Sequence, residues 1–146
     1  VSDLRSHVRL IQGLGYGGLI PFFGCAFLAY WFDQSDLWVF AIHGYASLII
    51  SFLGAISWGF ALTVSDMSRA RRNVLLYWGV LPAVLAWVCL LLPQVVRVGP
   101  LTALFLLTLA ADSYLSKQLS LPKFWLQMRV KLTLGALVAL MSVEFI

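Results

Sequence analysis

The chain has 146 residues, 62% hydrophobic, 14% aromatic and only 11% charged, with a formal charge of +4. A soluble domain carries charge at about a quarter of its positions, so this composition excludes one and points to a bilayer. The excess of basic residues does not indicate nucleic acid, because these residues sit in short clusters between apolar runs, where they act as topology signals.

Uncharged windows of bilayer length mark the spans. Span one is expected at about 10–32. It is too long for the core of a signal peptide and lacks an A-x-A-like cleavage site followed by a polar domain, so it reads as a retained helix. The turn Asp33-Gln34-Ser35-Asp36 leads into span two, about 37–63, which the polar stretch Ser65-Asp66-Met67-Ser68-Arg69-Ala70-Arg71-Arg72-Asn73 terminates. Span three, about 74–92, is closed by Pro93. Pro100 suits the first turn of span four, about 100–115. The connection 116–129, with Pro122, Trp125 and three charges, reads as an interfacial segment lying along the headgroups. Span five is expected at about 130–146, with Lys131 and Glu144 snorkelling from its ends because only Leu132 to Val143 is uncharged. The expected fold is therefore a single all-α integral membrane domain over 1–146, a bundle of five transmembrane helices.

Charge sorting sets the direction. Arg5, Arg9, Arg69, Arg71, Arg72, Lys117, Lys123, Arg129 and Lys131 fall on one side of this arrangement and Arg97 alone on the other. The positive-inside rule then predicts the N-terminus inside and the C-terminus outside. Trp31, Trp38, Trp78 and Trp125 lie near expected span ends, as an aromatic belt requires.

Few polar or special residues remain inside the spans. Gly13-Leu14-Gly15-Tyr16-Gly17-Gly18 matches G-x-G-x-x-G formally, but no strand precedes it and no βαβ unit surrounds it. Gly13, Gly17 and Gly18 instead read as a small-residue face for close helix packing, as does Gly54 in span two. Pro21 and Pro82 each remove a backbone hydrogen bond and are expected to kink spans one and three. They share a Y-x-G-x-x-P context, Tyr16 to Pro21 and Tyr77 to Pro82, which reads either as an internal repeat or as chance similarity between apolar segments.

In span two, His43, Ser47 and Ser51 recur every fourth residue, and the same face continues through Gly54 and Ala55 to Trp58. Two readings apply. His43 with these neighbours could serve a ligand, relay protons or act as an axial cofactor ligand, or it could bond to a neighbouring helix while the serines bond back to their own. Asp112, about one turn inside the end of span four, reads either as an ion or proton site or as a salt bridge to Arg129, Lys131 or the 69–72 cluster. Arg69, Arg71 and Arg72 are candidates for lipid headgroups, although topology alone accounts for them. Cys25 and Cys89 fall inside spans, so neither a disulfide framework nor a metal site is expected. There is no H-E-x-x-H, G-x-S-x-G, C-x-x-C or Walker loop, and no cofactor, metal or enzymatic activity is expected.

Leu14-Gly15-Tyr16-Gly17-Gly18-Leu19-Ile20-Pro21-Phe22, Ser51-Phe52-Leu53-Gly54-Ala55-Ile56-Ser57-Trp58-Gly59, Leu81-Pro82-Ala83 and Arg129-Val130-Lys131-Leu132-Thr133 give the chain a family likeness. It resembles the domain-of-unknown-function family 3429, which includes the mitochondrial transmembrane protein sixty-nine, over nearly its whole length. Ser57 stands where many members have a histidine, which argues against a function that needs histidine there. The resemblance implies a small multi-span protein of bacterial or mitochondrial inner membranes and carries no activity with it. The expected function is a non-enzymatic accessory, assembly or interaction protein whose partners are membrane lipids and other membrane proteins or a second copy, with no nucleic acid. The alternative is a small transporter or receptor for a hydrophobic or protonatable ligand.

Overall fold

The structure is a computed structural model that describes the backbone of residues 2–32, 35–144 and 146, and the side chains of these from residue 7 onward. The expected turn residues Asp33 and Gln34 and the side chain of Arg5 lie outside it. The described elements are all helices: α1 Ser2–Gly17, α2 Ile20–Trp31, α3 Ser35–Thr63, α4 Arg69–Leu91, α5 Gln94–Gln118 and α6 Lys123–Ser142. Five stretches are long and apolar enough to cross a membrane: His7–Trp31, which joins α1 to α2, and then α3, α4, α5 and α6. The chain is a multi-pass membrane protein with five apolar helical spans.

The helix ends differ from expectation at four places, each for a local reason. Span one is broken after Gly17. The Leu19 amide bonds to the Tyr16 carbonyl at 3.0 Å, a tightened turn, and the Phe23 amide then resumes the α pattern on Leu19 at 3.1 Å. Pro21 thus falls in the first turn of α2, where its missing N–H breaks no helical bond. The matching Pro82 sits inside an unbroken α4, so the two Y-x-G-x-x-P segments have different backbones.

Arg69 to Asn73 are helical rather than part of a loop. Ser68 caps α4 by accepting the Arg71 amide at 3.3 Å, and the Arg72 guanidinium reaches the Val64 carbonyl at 3.1 Å, at the negative end of α3. With α4 starting this early, Trp78 lies about 13 Å inside the helix rather than near its end.

Span four begins at Gln94, which leaves Pro100 inside α5 instead of at its start. Pro93 sets the beginning, because its carbonyl accepts the Val96 amide at 3.1 Å while Arg97 Nε donates to the Leu92 carbonyl at 2.7 Å. The interfacial segment expected at 116–129 is absent: α5 runs to Gln118 and α6 starts at Lys123, so span five begins seven residues early. The reversal is a Schellman turn, with Ser120 in the left-handed region (φ 51°) and the Leu121 amide bonded to the Ser116 carbonyl at 3.1 Å.

The chain forms two compact units, Val1–Ile42 with Leu109–Ile146, and His43–Thr108. In the first, α1 and α2 pack along α6 in parallel. Gly15 meets Met128 and Leu132, Leu19 meets Gly135, and the Tyr30 hydroxyl donates to the Ser142 carbonyl. A Cβ on Gly15 would lie 2.9 Å from Met128 Sδ, and one on Gly135 would lie 2.8 Å from Leu19 Cδ1, so these two glycines are where the backbones come close. A Cβ added to Gly13 or Gly17, expected to form that close-packing face, would come within 4 Å of nothing beyond the local helix backbone among the described residues. The reason is the helix period: Gly15 is 200° around from either, and only one side of α1 meets α6.

In the second unit α3 packs antiparallel to α4. Gly54 sits against the Pro82 ring and the Gly79 carbonyl, where an added Cβ would approach to 3.1 and 3.2 Å. Gly54, read from the sequence as a small packing residue of span two, therefore does meet a neighbouring helix, and the neighbour is the proline-bearing turn of α4. Four residues along, Trp58 lies over Gly79.

Candidate functional site

Within the first unit, the polar centre is an ion pair. Arg129 Nε donates to Asp112 Oδ2 at 2.5 Å, joining the end of α5 to the start of α6, and both residues are buried. Asp112 lies six residues before the end of α5, about 9 Å along the axis. Of the partners the sequence allowed, it takes Arg129, which is helical and buried and not part of an interfacial loop. Burying a lone carboxylate or guanidinium would cost several kcal/mol, and mutual pairing offsets much of that cost. Arg129 Nη2 and the Thr133 hydroxyl, one turn further along α6, are also buried and have no hydrogen-bond partner among the described residues.

Neither Thr133 nor the burial of Arg129 was anticipated. The signal was nevertheless present, because Arg129, Thr133, Ala136 and Leu140 follow one another at steps of four, three and four, the spacing of a packed helix face. All four are buried. Lys131, two residues from Arg129, is on the exposed side.

Within the second unit, most of the expected polar stripe is already bonded. The Ser47 hydroxyl lies 3.1 Å from the His43 carbonyl and 3.3 Å from the Ala86 carbonyl of α4, and Ser51 donates to the Ser47 carbonyl at 2.8 Å. Both serines thereby return a hydrogen bond to their own helix, as membrane-embedded hydroxyls do. Trp58 Nε1 donates to the Leu76 carbonyl at 2.9 Å. Its indole needs the absent side chain of Gly79, and the pair acts as a clasp between α3 and α4. His43 is different. The residue is 1% exposed, and neither Nδ1 nor Nε2 has a hydrogen-bond partner among the described residues. Ser57 is buried as well.

The five candidate ligand groups thus divide between the units, Asp112 in the first and His43, Ser47, Ser51 and Trp58 in the second. Of the three candidate headgroup arginines, Arg72 is committed to the end of α3, while Arg69 and Arg71 are exposed. Among the described residues, no three His, Cys, Asp or Glu side chains come together so as to hold a metal ion. Cys25 and Cys89 are free thiols.

No curated protein and no solved structure matches the chain. A family model does match, over residues 8–144, which takes in α2 to α6 completely together with all of the polar groups above. The chain belongs to the family described as Protein of unknown function (DUF3429).

Proposed function

We propose that the protein is a non-enzymatic accessory or assembly protein of a bacterial or mitochondrial inner membrane, holding other membrane proteins or a second copy of itself. The observation that carries this reading is a contrast between polar groups and glycines. Ser47, Ser51, Trp58 and Asp112, which a ligand or a reaction would need, are spent on contacts inside the protein. Gly13 and Gly17, a small-xxx-small pair on α1, leave open space where a side chain would stand, with no other helix against it among the described residues. In a bilayer such a pair lets a second helix approach closely and gain packing that lipid does not provide. The nine-to-one division of basic residues supports an N-in, C-out orientation, which puts the basic connections inside, within reach of acidic partner surfaces.

A photoreactive residue at position 13 or 17 tests this in native membranes, with Leu134, exposed on α6, as the lipid-facing control. Discrete protein adducts from positions 13 and 17 but not from 134 are expected. Adducts to lipid alone at all three positions would overturn the reading.

A second reading, a small transporter or receptor for a hydrophobic or protonatable ligand, is favoured by one observation: the two unpartnered ring nitrogens of His43. His43→Phe separates the two. If His43 only fills space, removing two unsatisfied polar atoms should raise the melting temperature, by an amount corresponding to about 1–3 kcal/mol, and leave the cross-links unchanged. If His43 holds a ligand, mass spectrometry should find a small molecule on the purified wild-type protein that His43→Phe has lost.

A further inference from the structure

The turn between α5 and α6 shapes a groove that the reading above does not use. Its volume is about 630 Å³, and it is lined by Ser116 of α5, Leu121 of the connection, and Lys123, Leu126, Gln127, Val130 and Lys131 of α6. The Schellman turn at Ser120 forms one wall, because the bond from the Leu121 amide to the Ser116 carbonyl brings those two residues together. Lys123, Gln127 and Lys131 are at i, i+4 and i+8 and share one face of α6. None of the lining residues is acidic, and among the described residues neither lysine is in an ion pair.

From this geometry we infer that the groove binds one anionic phospholipid, its phosphate held between Lys123 and Lys131 and an acyl chain laid along Leu126 and Val130. Two features argue for a lipid over a soluble anion. The groove is amphipathic, as a lipid needs: Lys123, Gln127 and Lys131 supply polar groups, and Leu121, Leu126 and Val130 supply apolar side chains beside them. The position of Lys131 is the second. The lysine stands eight residues, about 12 Å, into a membrane-crossing helix, and only the twelve residues from Leu132 to Val143, about 18 Å, follow it without a charge. That is well short of the roughly 30 Å of a hydrocarbon core, so the ammonium must reach back toward the headgroups. Lys123, at the start of α6, is where it would reach, and a phosphate between the two satisfies both. A neutral phospholipid brings its own cation and offers the lysines no net charge.

The test uses the full chain in nanodiscs of phosphatidylcholine, with or without phosphatidylglycerol, and reads retained lipid by native mass spectrometry together with the melting temperature. Phosphatidylglycerol should be retained in preference to phosphatidylcholine and should raise the melting temperature. Lys123→Gln with Lys131→Gln should weaken that preference about thirtyfold, each lysine contributing about fivefold. Lys117→Gln, at the same end of α5 but outside the groove, should leave it intact, and Lys123→Arg with Lys131→Arg should keep most of it. The arginine pair provides the readout if the glutamine pair does not fold. Equal retention of the two lipids, an unchanged preference in the glutamine pair, or its loss in the arginine pair would each overturn the inference. Inorganic phosphate added in place of the lipid should give no stabilisation, and a response equal to that of phosphatidylglycerol would point to a soluble anion. The cross-links at positions 13 and 17 are independent of this result.

Discussion

Arg129→Met should destabilise the protein by about 3–5 kcal/mol, measured as unfolding in detergent micelles, because it leaves the Asp112 carboxylate buried with no counter-charge. Asp112→Asn, which strands the guanidinium instead, should cost a comparable amount. The double variant Asp112→Asn with Arg129→Met should recover most of the loss, since a buried pair replaced by neutral groups of similar volume no longer carries the desolvation penalty. Arg129→Lys should fall between, because an ammonium keeps the charge but loses the planar fork that reaches Asp112 Oδ2. Lys131→Met, on the exposed side of the same helix, should be close to neutral for folding. If Arg129→Met were as stable as the wild type, the pair would not be joining α5 to α6. In Asp112→Asn, water entering beside the stranded guanidinium could bind Arg129 Nη2 and the Thr133 hydroxyl, which are unpartnered among the described residues, and so would put the loss toward the lower end of that range.

Gly79→Ala is the second large effect. A methyl group there would occupy the space of the Trp58 indole, whose Cδ1 and Nε1 are the nearest atoms to it. The ring is held by its bond to the Leu76 carbonyl and cannot move away without breaking it. Overpacking costs about 1–3 kcal/mol and the lost hydrogen bond about 1 kcal/mol more, so a loss of about 2–4 kcal/mol is expected, with a change in tryptophan emission as the indole leaves its place. Trp58→Ala should cost less in the presence of Gly79→Ala than alone, because the methyl then has room, and a double-mutant cycle reads this directly. Additive losses would refute the clasp. Tryptophan at such a site invites a ligand-binding reading, and the cycle separates that reading from helix packing.

The two sites show how unevenly structure could be read from the sequence. Five apolar spans were legible because a hydrocarbon core imposes a minimum length and tolerates few charges, a constraint local to each segment. Helix ends were less so. Ser68 and Pro93 start α4 and α5 earlier than the run of apolar residues suggests, since a helix extends past the apolar edge whenever a cap or a side chain satisfies its terminal groups. The interfacial segment expected at 116–129 failed for the same reason: Ser120 closes a tight turn that frees the following residues to be helical. In the second unit the face that bears Ser47, Gly54 and Trp58 was visible from its spacing, and it does meet α4.

Composition and charge order by themselves determined that the chain lives in a bilayer and how often it crosses, because each helix must satisfy its own backbone and its own hydrophobicity whatever surrounds it. The tertiary structure alone decided which glycines are close contacts, Gly15, Gly79 and Gly135 in place of Gly13 and Gly17, and which basic residue answers Asp112. Those choices depend on how one helix is rotated against another. A rotation of half a turn exchanges an exposed side chain for a buried one while leaving every local propensity unchanged.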